Sequence, residues 1–131
     1  MPLRYYFRER IIIPDADAGE NNLDDSQVKP GRIYYYEEIS VENRTHAFTR
    51  ALFGVESGED HHYYEEQQNP AADTLYPWHC VPPLRVLPGE FVRVKCTGVT
   101  LHDELIMFVA GYFEKEEEQG PEEKEEAEVS D

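Results

Sequence analysis

The residues of this chain that first suggest chemistry are two adjacent histidines, His61 and His62, which are followed by Glu65 and Glu66. Imidazole and carboxylate groups are common ligands of divalent metals. Neighbouring side chains on a β-strand point to opposite faces, however, so the two histidines cannot easily bind one ion. The other histidines are isolated, at positions 46, 79 and 102. We therefore predict no metal site and no cofactor.

A second candidate is the acidic segment that contains Asp15 and Asp17, since carboxylates at alternate positions begin many calcium-binding loops. Glu20 stands where an EF-hand loop requires glycine, and Ser26 stands where it requires a bidentate glutamate. The segment is therefore interpreted as a solvated acidic loop.

The sequence His102-Asp103-Glu104 has the residue types of an acid and a base. No serine or cysteine lies in the setting of an activated nucleophile, however. Residues 97–103 are better interpreted as a connection between strands, in which the Asp103 carboxylate accepts hydrogen bonds from local backbone N–H groups. We predict no catalytic residues and no enzymatic activity.

The negative charge of the chain is concentrated at its C-terminal end. The 131 residues carry a formal net charge of −16, and positions 114–131 hold ten acidic and two basic residues. That segment has almost no apolar surface to offset the entropy of ordering, which predicts an extended, solvated, low-complexity acidic tail. Such acidity argues against direct binding of DNA or RNA by the body of the chain, because phosphate contacts require lysine or arginine.

The length of the chain suits one domain, assigned to residues 1–113. Its apolar runs are shorter than the roughly 20 residues of a membrane helix, and the start of the sequence lacks the pattern of a signal peptide. These features predict a soluble protein without a membrane partner. Cys80 and Cys96 are too few for a disulfide framework.

Alternating and β-branched stretches predict strands along most of the domain. A long loop is predicted at 15–31, a hairpin turn at 57–60 and a break at Val81-Pro82-Pro83. The predicted strands cover 4–13, 32–42, 47–55, 61–66, 74–80, 91–96 and 105–113. This spacing indicates an all-β fold, an antiparallel β-sandwich or jelly roll of about seven or eight strands.

Alternation within these strands also predicts which side chains face inward. In the second strand, the predicted inner set is Ile33, Tyr35, Ile39 and Val41. In the last two strands, the core candidates are Phe91, Val94, Leu105, Met107 and Val109. Clusters of tyrosine would also expose aromatic rings on the opposite faces, where they favour contact with another protein. The interface candidates are Tyr5, Tyr34, Tyr36, Tyr63, Tyr64 and Trp78.

Short strand and turn signatures recur over residues 40–113. They are Asn43-Arg44-Thr45, His62-Tyr63-Tyr64-Glu65, Ala71-Ala72-Asp73 with Trp78, Pro88-Gly89-Glu90, Thr97-Gly98-Val99-Thr100, Asp103-Glu104-Leu105 and Ala110-Gly111-Tyr112. In these features the segment resembles a small β-sandwich type found among the structural proteins of tailed bacteriophages. The resemblance implies a capsid decoration, neck or tail component that works as an oligomer, and it implies no catalytic residues.

The resulting hypothesis is a virion structural protein, made in the host cytoplasm, that self-assembles and docks on a larger shell, portal or tail protein. The alternative is a carbohydrate-binding or receptor-binding β-sandwich, in which aromatic side chains such as Trp78 would stack on sugar rings. A third hypothesis is a cupin-like metalloprotein, although the His-x-His spacing of that family is absent.

Overall fold

The computed structural model describes residues 3–115, which form eight β-strands and, within that range, no helix. The strands are β1 (Arg4–Ile13), β2 (Gly19–Asp24), β3 (Arg32–Asn43), β4 (Arg50–Ser57), β5 (Asp60–Gln68), β6 (Tyr76–Val86), β7 (Glu90–Val99) and β8 (Leu105–Lys115). Of the predicted acidic tail, Glu114 and Lys115 belong to β8, and residues 116–131 lie outside the described residues.

The strands form two antiparallel sheets packed face to face. The β1 sheet has the order β1-β8-β3-β6, and the β2 sheet has the order β2-β7-β4-β5. Every connection crosses from one sheet to the other except the β4–β5 hairpin, which is the pattern of a jelly roll. The predicted all-β sandwich, its strand number and the hairpin at 57–60 are confirmed.

The core between the sheets is made of the inward side chains of both sheets. Val94, Leu105 and Met107 are fully buried, Val109 is nearly so, and Phe91 is half-buried. Four of the five predicted core residues are therefore confirmed, although β7 and β8 lie in opposite sheets.

The predicted loop at 15–31 is wrong, because it contains β2, which pairs with β7. Asparagine and aspartate disfavour strands, so the local sequence gives little sign of this one. Leu23 explains the pairing, since its side chain is fully buried opposite Val94. Burial of one leucine against the partner sheet outweighs weak local propensity, and contributes roughly 2 kcal/mol by area.

The predicted break at Val81-Pro82-Pro83 is also wrong, since β6 continues to Val86. Its pairing with β3 jumps from His79 to Leu84 across this segment, which contains a cis Val81–Pro82 bond. Because β6 is the last strand of its sheet, the prolines remove no hydrogen bond from a central ladder.

A bulge at Glu37 decides which side chains of β3 face the core. Tyr36 pairs with Gly111 and Glu38 pairs with Ala110, so Glu37 is an extra residue. The alternation therefore reverses, and Tyr34 and Tyr36 share the inner face with Ile39 and Val41 while Tyr35 points outward. The predicted inner set is wrong for Ile33 and Tyr35 for this reason.

One end of the sandwich is held by a buried carboxylate, Asp103, which is fully inaccessible to solvent. Its Oδ2 accepts hydrogen bonds from Asn43 Nδ2 at 2.8 Å and from the Thr100 N–H at 3.0 Å, and its Oδ1 lies 2.6 Å from His46 Nδ1. The Thr100 bond confirms the predicted turn. Burial alone would raise the pKa of Asp103, but these hydrogen bonds outweigh it and lower the pKa below its ordinary value.

We expect Asp103→Ala to lower the free energy of unfolding by about 3 kcal/mol, because Asn43 and the Thr100 N–H lose a charged acceptor. The stabilisation should be present above the ordinary carboxyl pKa of about 4 and be lost as the pH falls through the lower folded-state pKa. Urea unfolding between pH 7 and pH 2.5 measures both effects. Asp60→Ala, at the exposed first residue of β5, is the control. An equal loss in both variants would contradict the role of Asp103.

Candidate functional site

The outward side of β1, β8 and β3 carries three tyrosines in one row. Register places Tyr6 beside Tyr112 and Tyr112 beside Tyr35. The Tyr35 and Tyr112 rings stack at 5.0 Å between centroids, and the Tyr6 and Tyr112 rings lie 5.7 Å apart. The Arg4 guanidinium lies 4.2 Å from the centroid of the Tyr112 ring. We call this outward side of the β1 sheet the tyrosine face.

A depression of about 310 Å³ adjoins the tyrosine row on the same side of the sheet. It lies over Ala110, whose small side chain leaves the space open, and it is bordered by Arg8, Arg10, Glu38 and Phe108. It therefore combines an apolar floor with two cationic groups on one wall.

Among residues 3–115, three of the four arginines that lack a carboxylate within salt-bridge distance lie on the tyrosine face; the fourth, Arg32, lies over the Phe113 ring. Within residues 3–115, Arg8, Arg10 and Arg85 have no carboxylate within salt-bridge distance, although the whole chain carries a net charge of −16. Glu9 and Glu38 are the acidic residues at the depression, and the Glu38 carboxylate accepts a hydrogen bond from Ser40 Oγ at 3.0 Å and lies 3.9 Å from His79 Nδ1. The face is thus suited to an anionic partner.

The outward side of the β2 sheet differs, because its charges pair with one another. Arg93 donates two hydrogen bonds to Asp24, at 2.7 and 3.0 Å, and these raise the pKa of the guanidinium. Its Nη1 also lies 3.5 Å from the buried carboxylate of Glu56, which contacts His61. Paired charges of this kind leave little attraction for an outside partner.

A second aromatic surface lies at the edge of the sandwich, where β5 and β6 meet. Tyr64 is 56% exposed and stacks on Trp78 at 6.3 Å with nearly parallel rings. Trp78 packs in turn on Phe53 of the core. A cavity of about 400 Å³ opens beside them, bordered by the proline segment of β6, where Val81 is 90% exposed.

A third cavity, of about 180 Å³, holds a carboxylate pair, Glu9 and Asp25, with Arg32 at its border. The buried Tyr36 hydroxyl donates a 2.5 Å hydrogen bond to Asp25 Oδ2. Partial burial and the neighbouring charge of Asp25 raise the pKa of Glu9, and burial raises the pKa of Tyr36. The Glu9 carboxyl therefore holds a proton more tightly than an isolated glutamate does.

The six predicted interface residues are not brought together by the fold. Tyr36 is 1% exposed and belongs to the core, and Tyr5 and Tyr34 stack on Phe113 on the inner side of the β1 sheet. Tyr63 lies on the outward side of the β2 sheet, where its ring stacks on His61, and Tyr64 and Trp78 lie at the edge.

Sequence reasoning missed the residues that do form a row, Tyr6, Tyr35 and Tyr112. Tyr6 is 70% exposed, and strand alternation from its neighbour Phe7, which packs against the core, would have identified it. Tyr35 required knowledge of the bulge at Glu37.

The histidines and cysteines are the remaining residues of the described range with reactive or metal-binding side chains. Among residues 3–115 no three His, Cys, Asp or Glu side chains are grouped so as to hold a metal ion. Cys80 and Cys96 are free and buried, which raises the pKa of their thiols to about 11 and about 12. Thiols with such pKa values are poor nucleophiles at neutral pH. The same range contains no helix long and apolar enough to cross a membrane.

No protein-family model and no curated protein matches this sequence. Solved structures do match in fold. A chain in the acidic stable capsid structure of Helicobacter pylori bacteriophage KHP30 has a TM-score of 0.57 at 14% identity, with 86% of this chain and 93% of that chain covered.

Two further solved structures are similar at lower TM-scores. A Yersinia pseudotuberculosis-derived mitogen has a TM-score of 0.40 at 10% identity, with 92% of each chain covered. The N-terminal cellulose-binding domain of Cellulomonas fimi β-1,4-glucanase C has a TM-score of 0.37 at 12% identity, with 84% of this chain and 90% of that chain covered. At these identities the likenesses concern the fold alone.

The Glu9–Asp25 pair gives this region a measurable pH dependence. A raised carboxyl pKa in the folded state stabilises the protein at low pH, and this contribution is lost as the pH rises through the folded-state pKa. We therefore expect Glu9→Gln to raise the free energy of unfolding at pH 7 by less than about 1 kcal/mol, because solvent screens an exposed side chain. At pH 3.5 the variant and the parent should agree. Urea unfolding at the two pH values tests this, and a variant that is less stable at pH 7 would contradict it.

Proposed function

We propose that this chain is a non-enzymatic virion structural protein that acts through the tyrosine face, by binding copies of itself and by docking on a larger viral structural protein. The observation that carries the proposal is the row of Tyr6, Tyr112 and Tyr35 beside a depression with unpaired arginines. Tyrosine and arginine are the residues that most often dominate protein interfaces.

The physical character of the face supports assembly over catalysis. Tyr6 is 70% exposed, Ile12 is 40% exposed, and both lie on the same side of β1. Large apolar groups on a flat sheet surface gain most when another protein surface covers them. The arginines add attraction to an acidic patch on a neighbouring protein.

The likeness in fold to a chain of a phage capsid agrees with this proposal. Under it, the protein would be made in the host cytoplasm and act in the virion, as a decoration, neck or tail component. Its partners would be further copies of itself and a shell, portal or tail protein.

One observation favours a second function, carbohydrate binding at the β5–β6 edge. The parallel rings of Tyr64 and Trp78 beside a cavity of about 400 Å³ form a surface on which a sugar ring could stack. His79 and Arg85 border the same cavity and could donate hydrogen bonds to hydroxyl groups. In the virion this surface would act as a receptor-binding site.

Self-association can be measured by size-exclusion chromatography with light scattering from 1 µM to 1 mM protein. We expect concentration-dependent oligomers, and we expect the double variant Tyr6→Ser, Phe108→Ser to weaken association about 30-fold, since loss of an interface anchor costs about 2 kcal/mol. Tyr64→Ser, which removes an exposed tyrosine away from the face, is the matched control and should associate normally. A monomer over the whole range would count strongly against the proposal.

Glycan-array binding of the labelled protein tests the second function. If sugars bind at the edge, Trp78→Ala should abolish the signal and Tyr64→Ala should lower it about tenfold, because a stacking ring contributes about 1.4 kcal/mol. Tyr64 is largely exposed, so its loss should leave the fold intact. Tyr6→Ala is the reciprocal control. An array without signal for the parent protein excludes the glycans it displays.

A further inference from the structure

We infer that residues 116–131 of this same chain bind the tyrosine face, through contacts of their carboxylates with Arg8, Arg10 and Arg85. This inference rests on the proposed function, in which the tyrosine face binds a protein partner. It names the segment that occupies the face until that partner binds. The occupant is specified by sequence: residues 116–131 contain nine acidic residues and one lysine.

The first support is charge complementarity. Most other cations of the described residues have carboxylate partners: Arg4 pairs with Glu114, Arg44 with Glu42, Arg50 with Glu66, Arg93 with Asp24 and Lys95 with Glu20. The guanidiniums of Arg8, Arg10 and Arg85 have none within residues 3–115. Guanidinium groups bind carboxylates through two parallel hydrogen bonds, so a glutamate-rich strand matches this surface.

The second support is the position at which β8 delivers the segment. β8 lies between β1 and β3 and ends at Lys115. Its last residues already contact β1, where Glu114 Oε2 lies 3.7 Å from Arg4 Nε. Because β1 runs antiparallel to β8, Arg8 lies beside Ala110 and Arg10 beside Phe108, on the same outward side.

The third support is reach. Phe108 lies seven residues before Lys115 on β8, which is about 23 Å at the rise of a strand. Sixteen residues can span up to about 54 Å when extended. The length of residues 116–131 therefore exceeds the distance from the end of β8 back to Arg8 and Arg10.

A tethered segment also has an advantage over a second copy. A short tether gives an effective local concentration in the millimolar range, so contact within one chain prevails in dilute solution. In an assembling particle a partner with a larger apolar surface can displace the segment, because carboxylates gain little from the tyrosine rings. The segment thus competes with the partner for one face.

Zero-length carbodiimide cross-linking of the full-length protein tests the inference directly. The natural lysines are at positions 29, 95, 115 and 124, so the tyrosine face offers none to the reagent. The double variant Arg8→Lys, Arg10→Lys introduces two amines at exposed positions and keeps their charge. At 5 µM protein we expect amide links from positions 8 and 10 to residues 116–131, found by mass spectrometry in the monomer band and reduced at least fivefold in 1 M NaCl.

The matched control is Arg50→Lys, which places an amine beside Glu66 on the other sheet. It should link to Glu66 and not to residues 116–131. Absence of links from positions 8 and 10, or an equal yield of links from position 50, would overturn the inference. Links confined to a dimer band would overturn the assignment to the same chain.

The outcome of the cross-linking experiment can be distinguished from the outcome of the self-association measurement. A protein that stays monomeric at 1 mM but links positions 8 and 10 to its own C-terminal segment would remove the self-assembly proposal and leave this inference standing. A protein that forms oligomers without these links would do the reverse.

Discussion

The tyrosine face depends on one backbone irregularity, the extra residue Glu37 in β3. Without it, Tyr36 would point outward and Tyr35 would enter the core. With it, Tyr36 is buried and reaches Asp25, while Tyr35 stacks on Tyr112 outside. Gly111 accommodates the irregularity, because a Cβ at that position would overlap the carbonyl oxygen of Tyr35. The bulge, the glycine opposite it and the proline segment of β6 lie side by side on three neighbouring strands.

The distribution of charge follows from the same architecture. On the β2 sheet, cross-strand neighbours such as Arg93 and Asp24 satisfy one another, so that sheet presents a neutralised surface. On the β1 sheet, Arg8 and Arg10 face Ala110 and Phe108, which have no charge to offer. An edge strand that carries exposed cations also resists unwanted pairing with other strands. The outward sides of the two sheets therefore differ in how far their charged side chains are paired with one another.

The sequence predicts the sandwich because alternation marks most strands individually, as in Arg4–Ile13, where the predicted and observed bounds agree. Prediction from the sequence fails where contacts between residues distant in the chain decide the local structure. β2 pairs with β7 where Leu23 is buried opposite Val94, and the bulge of β3 shifts its register with both β6 and β8. The turn at Asp103 is local and was predictable, whereas its partner Asn43 is sixty residues away in sequence. The tyrosine row is harder still to predict from the sequence, because the prediction requires the register of three strands at once.

The two proposed functions require different arrangements of aromatic side chains. A sugar site needs stacked rings with hydrogen-bond donors and acceptors around a cleft, and the β5–β6 edge provides this over a small area. A protein partner needs a broad, rigid surface with anchors near its centre. On the tyrosine face Tyr6 is 70% exposed, whereas the central Tyr112 is 7% exposed, and the rings are held by strands that pair with one another. Rigid anchors lose little conformational entropy on binding, so the same hydrogen bonds that define the sheet also prepare its outward side for a partner.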